Sequence, residues 1–258
     1  MRLFLSLVLL APMCAFSQLG GPGQYPQFRS MSGLPGSGFG VSADGKVDLR
    51  GAMSLSAPIG YSLSDWEIVL AIGNLSANRT PTFPRGSEKV LRGNGTGTAL
   101  LGIPLGEFGS ATVSHMVLSN RGDFATNVAW SPPRQTGPVR IALGVQDVSG
   151  QGGTQGEGAN GQDPGESRSY FAAGTWHASE RTHVSLGIGD TRFRRGFASV
   201  SQTIGDRAKA VLEHDGYNWN VGVAFDVPLG QGERDSGVTF ALGLFRGDFA
   251  YWSAAIRF

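Results

Sequence analysis

Residues 218–227 (NWNVGVAFDV) constrain the fold more tightly than any other stretch of this chain. Trp219, Val221, Val223, Phe225 and Val227 share one parity; Asn218, Asn220, Gly222, Ala224 and Asp226 share the other. Successive side chains of a strand point to opposite faces, so this period of two predicts a strand with one apolar face and one small or polar face. Residues 47–55 read the same way, with Val47, Leu49, Met53 and Leu55 opposite Asp48, Arg50 and Ser54. So do residues 182–189, where Val184, Leu186 and Ile188 oppose His183, Ser185 and Gly187. No segment carries a helical period, and no later stretch reaches the roughly 18 apolar residues of a membrane-spanning helix.

Alternation alone does not decide whether the apolar face meets a soluble core or lipid. Composition narrows the choice. Charged residues make up 16% of the chain, against about 25% in an average soluble domain. The 40 glycines follow no collagen-like triplet, and the 10% aromatic content is too high for a disordered chain. A formal net charge of +1 announces no basic face for nucleic acid.

The N-terminus reads as an export signal. Arg2 precedes an apolar run over residues 3–16, and Ala15-Phe16-Ser17 places small residues at the two recognition positions. Cleavage is expected before Gln18, giving a signal peptide over residues 1–17. Pro12 and Met13 ahead of Cys14 do not make a lipoprotein box. Cys14 is the only cysteine, so the mature chain holds neither a disulfide framework nor a cysteine zinc site. Residues 18–36, rich in Gly and Pro, are expected to form an irregular lead-in.

Turn residues divide residues 37–258 into candidate strands at 37–43, 47–57, 65–74, 96–105, 109–119, 123–131, 137–147, 168–178, 181–190, 195–202, 206–214, 217–227, 236–245 and 249–258. Asp44-Gly45 and Asp215-Gly216 are tight-hairpin dipeptides. The expectation is an all-β, transmembrane, antiparallel up-and-down barrel of about 14 strands, with 12 the alternative because 37–43 is short. Strand alternation puts the two longest connections, 75–95 and 148–167, on one side. Short turns such as Gly106-Glu107-Phe108 and Ser179-Glu180 fall on the other. Long loops outside and short turns inside is the pattern of outer-membrane barrels.

The last strand points the same way. Phe258, Ile256, Ala254, Trp252 and Ala250 lie on one face. This terminal aromatic with apolar residues at every second position resembles the C-terminal assembly signal of outer-membrane proteins, carried here by Trp252, Ile256 and Phe258. It implies the barrel assembly machinery as a partner and the outer membrane as the location, with its lipid as the surroundings.

Few residues offer chemistry. The four histidines, His115, His177, His183 and His214, suggest no third ligand, so no metal or other cofactor is expected. His183-Val184-Ser185 resembles the His-x-Ser pair of outer-membrane lipid hydrolases, but its period turns both residues away from the apolar face, and Leu186-Gly187 replaces the Asn-Gly of the phospholipase pattern. Arg246-Gly247-Asp248 reads as a turn between the last two strands, and residues 150–161 as an external loop. Arg192, Arg194 and Arg195 form a basic cluster at a strand end, read as solvated. The polar parity of 206–214 and 217–227 collects Arg207, Lys209, Glu213, Asp215, Asn218, Asn220 and Asp226, a set costly in lipid and therefore assigned to the lumen. There it either lines a polar path or forms an ion-paired plug, and the plug is favoured.

Residues 191–200 (TRFRRGFASV), followed by 210–216 (AVLEHDG) and Asn220-Val221-Gly222-Val223, resemble the YjbH-like outer-membrane proteins, over roughly residues 168–227. That resemblance implies a link with exopolysaccharide production and polysaccharide export components. The function expected is a non-enzymatic barrel with an envelope-structural role or one in solute or exopolysaccharide passage. A lipid hydrolase and a secreted β-sandwich or adhesin are the alternatives.

Overall fold

The structure, a computed structural model, describes residues 31–75, 96–118, 124–149, 168–229, 236–245, 247 and 249–258. The expected signal peptide, most of the expected lead-in, the Arg246-Gly247-Asp248 turn (but for Gly247) and the expected 150–161 loop lie outside these residues.

Twelve antiparallel strands close into a barrel. They are β1 (Ile68–Leu75), β2 (Thr96–Pro104), β3 (Ser110–Leu118), β4 (Phe124–Ser131), β5 (Val139–Gln146) and β6 (Ser169–Ser179). The second half is β7 (Thr182–Gly189), β8 (Phe197–Ile204), β9 (Ala208–His214), β10 (Trp219–Pro228), β11 (Gly237–Phe245) and β12 (Phe249–Arg257). Each strand pairs with its neighbours in sequence, and β1 pairs with β12 from Val69↔Arg257 to Leu75↔Tyr251. The up-and-down barrel holds; a two-sheet sandwich does not.

Periodicity located the wall strands well, because each has one face toward the interior and one away from it. In β10, Val221, Val223, Phe225 and Val227 point outward and exposed, while Asn220, Gly222 and Ala224 are buried. In β1, Ile68, Leu70 and Ile72 point outward and Val69 and Ala71 inward. Asp215-Gly216 makes the expected tight connection between β9 and β10, with Gly216 at a φ of 93° that only glycine adopts freely.

The expected count of 14 is corrected to 12. The segments at 37–43 and 47–57 are not wall strands, and the wall starts at Ile68 rather than at residue 37. Residues 31–64 instead pass through the barrel interior. Among residues 31–63 only Ala43, Asp44, Lys46 and Arg50 are exposed. Alternation misled here because an interior segment is covered on both faces. Leu49, Met53 and Leu55 meet wall residues Val211, Ala224, Ala241, Phe245 and Tyr251, while Ser54 on the opposite parity is equally buried.

This plug is a small meander. Val41 and Ala52 exchange backbone hydrogen bonds of 2.8 Å in both directions, Gly38 N–H donates to Ser54 O at 3.0 Å, and Ser54 N–H donates to Gly36 O at 2.9 Å. Asp44-Gly45 turns it, with Ser42 N–H donating to Lys46 O at 2.9 Å. The expected hairpin dipeptide therefore makes its turn at the exposed tip of the plug and not between wall strands. Eight strands leave room for side chains alone; a twelve-stranded wall encloses more, and the meander occupies that space.

The barrel has two ends. The proximal end carries the start of β1, the end of β12, and short connections such as the 3₁₀ turn Gly106–Phe108 and the Ser179–Thr182 turn. The distal end takes the connections between Leu75 and Thr96 and between Gln146 and Ser169.

Gly60 shows how closely plug and wall approach. A Cβ there would lie 2.4 Å from Arg140 O and 2.6 Å from Thr175 N, both wall backbone atoms. Gly60→Ala is expected to destabilise the folded barrel by about 1–3 kcal/mol through overpacking. The measurement is the temperature at which the compact band disappears on unboiled gels. Gly97→Ala, with nothing within 4 Å of its Cβ, should leave that temperature unchanged.

Candidate functional site

The wall holds the plug chiefly through the plug's backbone. Side-chain hydroxyls of wall strands accept its N–H groups: Thr112 Oγ1 from Leu63 at 2.6 Å, Thr175 Oγ1 from Gly60 at 2.7 Å, and Ser201 Oγ from Met53 at 3.2 Å. Toward the distal end, amides donate to its carbonyls. Gln146 Nε2 reaches Ser32 O at 2.9 Å, and Asn127 Nδ2 reaches Gly33 O at 3.3 Å. The Ser114 hydroxyl also donates to Gly33 O. Buried backbone groups need partners, and here wall side chains supply what the short meander does not.

Glu213, on β9, is the densest of these contacts. Its Oε2 accepts from the N–H of Leu55 at 2.8 Å, of Ser56 at 3.0 Å and of Ala57 at 3.0 Å. Its Oε1 accepts from Ser56 N–H at 3.0 Å, from the Ser56 hydroxyl at 2.7 Å and from Asn220 Nδ2 at 3.0 Å. The carboxylate is wholly buried. Three consecutive N–H groups turned onto one anion form a nest, whose aligned dipoles compensate a buried charge without a counter-ion.

The other residues assigned to the lumen fall in different places. Asn220 is buried beside Glu213, and its Nδ2 also lies 3.4 Å from Asp215 Oδ2. Asp215 is buried at the distal end, where Oδ1 accepts from the N–H of Tyr217 and Asn218 at 2.9 Å each and so caps the β9–β10 turn. Asn218 is half-buried in that turn, and its Nδ2 finds no hydrogen-bond partner among the described residues. Lys209 is fully buried, its Nζ 3.5 Å from Arg50 O of the plug. Asp226 faces the interior near the proximal end, pairing with Arg257 at 3.2 Å and accepting from Thr239 Oγ1 at 3.2 Å. Arg207 is exposed at the proximal rim. There it helps line a vestibule of roughly 960 Å³ that also takes in Asp48, Arg50, Asp206 and Arg257. The sequence set thus divides into plug contacts, a turn cap and a rim.

His183 and Ser185 both face inward and are buried. The Ser185 hydroxyl lies 2.8 Å from Thr175 Oγ1, and the His183 ring stacks on His177 at 4.7 Å between centroids. Ser185 is thus engaged in seating Gly60 and is shielded from lipid. Among the described residues no group of three or more His, Cys, Asp or Glu side chains is placed to hold a metal ion. Of the basic cluster, Arg192 is buried beside Phe193, Arg195 lies over the Tyr217 ring at 4.8 Å, and Arg194 is exposed. Trp252 and Phe258 of the C-terminal motif are exposed on the outside of β12, with Ile256 half-buried between them.

These features define a class: a closed, twelve-stranded, up-and-down β-barrel with an apolar exterior and a polar interior occupied by its own N-terminal segment. No protein-family model matches the chain, and no curated protein matches it. Among solved structures it is similar to a KdgM porin in complex with disordered oligogalacturonate. The identity is 7%, over 74% of this chain and 98% of that one, with a TM-score of 0.45. The fold assignment rests on the closed sheet and not on this likeness.

Removing the Glu213 carboxylate strands three buried donors at once. Glu213→Ala is expected to cost about 3 kcal/mol or more, since each unsatisfied buried group costs roughly 1–3 kcal/mol. Lys209→Met gives up only a long contact and should stay within about 1 kcal/mol. Urea unfolding in detergent micelles distinguishes the two.

Proposed function

We propose that this protein is a non-enzymatic outer-membrane barrel that provides passage for a hydrophilic solute or polysaccharide. The observation that carries the reading is the apolar exterior. Outward positions around the wall, among them Leu70, Ile141, Ile188, Val223 and Leu242, are exposed apolar side chains on a sheet with no open edge. Soluble monomers rarely expose contiguous apolar patches beyond a few hundred Å², whereas lipid suits such a ring and requires closure.

Aromatic residues at both ends support it. Trp66, Phe108, Trp176 and Phe258 are exposed toward the proximal end, and Phe124 and Tyr170 toward the distal one. Outer-membrane barrels carry such girdles at their two interfaces. The interior contributes the second half of the argument. Thr112, Ser114, Asn127, Thr175, Ser199 and Ser201 line it with hydroxyls and amides, suited to a hydrated solute. The C-terminal motif supports delivery by the barrel assembly machinery. A role beside polysaccharide export components rests on the resemblance across residues 168–227. The inward, hydrogen-bonded position of Ser185 disfavours lipid hydrolysis.

Fractionation of expressing cells, followed by gels of boiled and unboiled outer membrane, tests the reading. A heat-modifiable band in that fraction is expected; a band confined to the soluble periplasm would refute it. Val223→Arg, at mid-strand on the outward face, should cost about 2–4 kcal/mol and deplete the compact band.

A further inference from the structure

Resting on the passage reading, we propose that Glu213 is a latch: residues 31–64 form a displaceable plug, and the lumen conducts only when the cluster at Glu213 releases it.

The contacts between plug and wall are uneven. Away from Glu213, the polar contacts to the wall join neutral groups in ones and twos, such as Gly60 to Thr175, Leu63 to Thr112, and Ser114 and Asn127 to Gly33 O, with one long contact from Lys209 to Arg50 O. Water replaces bonds of that kind at small net cost. The cluster at Glu213 is different, because one charged group collects the N–H of Leu55, Ser56 and Ala57 together with the Ser56 hydroxyl. Bonds to an ionised acceptor are roughly twice as strong as neutral ones. Retention is thereby concentrated on one wall residue and three consecutive plug residues.

Two further features fit a segment that moves as a unit. The plug joins the wall through Asp65 and Trp66, whose φ values of 52° and 61° place two successive non-glycine residues in the left-handed region. Such a junction is a local strain point between two bodies. The tip of the plug, including Asp44, Lys46 and Arg50, faces the open proximal vestibule and is the exposed part of an otherwise buried segment.

The test uses the full-length chain with two readouts. Ser54→Cys in a Cys14→Ser background places a reporter at a wholly buried plug position. A membrane-impermeant maleimide reads plug release, and planar-bilayer conductance reads passage. With Glu213→Gln, labelling should quicken about tenfold or more, the equivalent of one charge-assisted hydrogen bond, and steady conductance should appear where the parent is closed. If Glu213→Gln loses the heat-modifiable band, Ser56→Pro decides. It removes the Ser56 N–H and hydroxyl from the plug side and leaves every wall residue intact. Slow labelling and no conductance in folded variants would overturn the latch, as would rapid labelling of the parent. Rapid labelling without conductance in a folded variant would uphold the latch and overturn the passage reading instead.

Discussion

The pairing of β1 with β12 is the contact on which the rest of the molecule depends. An antiparallel sheet ends in two edges of unpaired N–H and C=O groups, and in hydrocarbon each of these costs several kcal/mol. Joining Val69–Leu75 to Tyr251–Arg257 removes both edges. It also determines what each face of the wall meets, because a closed sheet has an outside and an inside for every strand. The apolar parity of β10 or β11 becomes a continuous outer surface only once that seam is made.

Closure at twelve strands then creates a second requirement. The enclosed space is wider than the inward side chains of a small barrel fill, so it must hold water or chain. Here residues 31–64 occupy it. The glycines of that segment follow from the tightness of the space. A Cβ on Gly51 would meet Val41 O at 2.0 Å, and one on Gly40 would meet Asp48 O at 2.2 Å. Plug strands packed that closely against one another leave no room for side chains at their crossing points.

The wall was legible in the sequence because the outer and inner faces impose opposite demands on alternate residues, which leaves a period of two along the strands. Phe258, Ile256 and Trp252 were legible for the same reason. The plug was not. Its residues answer to one interior environment on all sides, and the alternation of Val47, Leu49, Met53 and Leu55 against Ser54 imitates a wall strand although both parities are buried. The run Gly33, Gly36, Gly38 and Gly40 was the available signal, since three of these four adopt a positive φ, which a regular strand does not use. The polar parity of β9 and β10 marked Glu213 as inward, but its partners come from residues about 157 positions earlier, beyond the reach of local pattern.

The chemistry by which the wall recognises the plug bears on how the two evolved together. Most of the polar contacts address backbone groups of residues 32–63, with Ser56 and Ser62 adding their hydroxyls, so the wall reads chiefly the path of the chain. Such recognition tolerates side-chain change in the plug wherever volume permits, and is strict where the path itself is at stake, as at Gly40, Gly51, Gly60 and the nest of residues 55–57. It also leaves the wall's hydroxyls and amides able to bond water as readily as peptide. The same hydroxyls and amides, with the Glu213 carboxylate set against residues 55–57, give the interior a lining that bonds peptide groups and water alike.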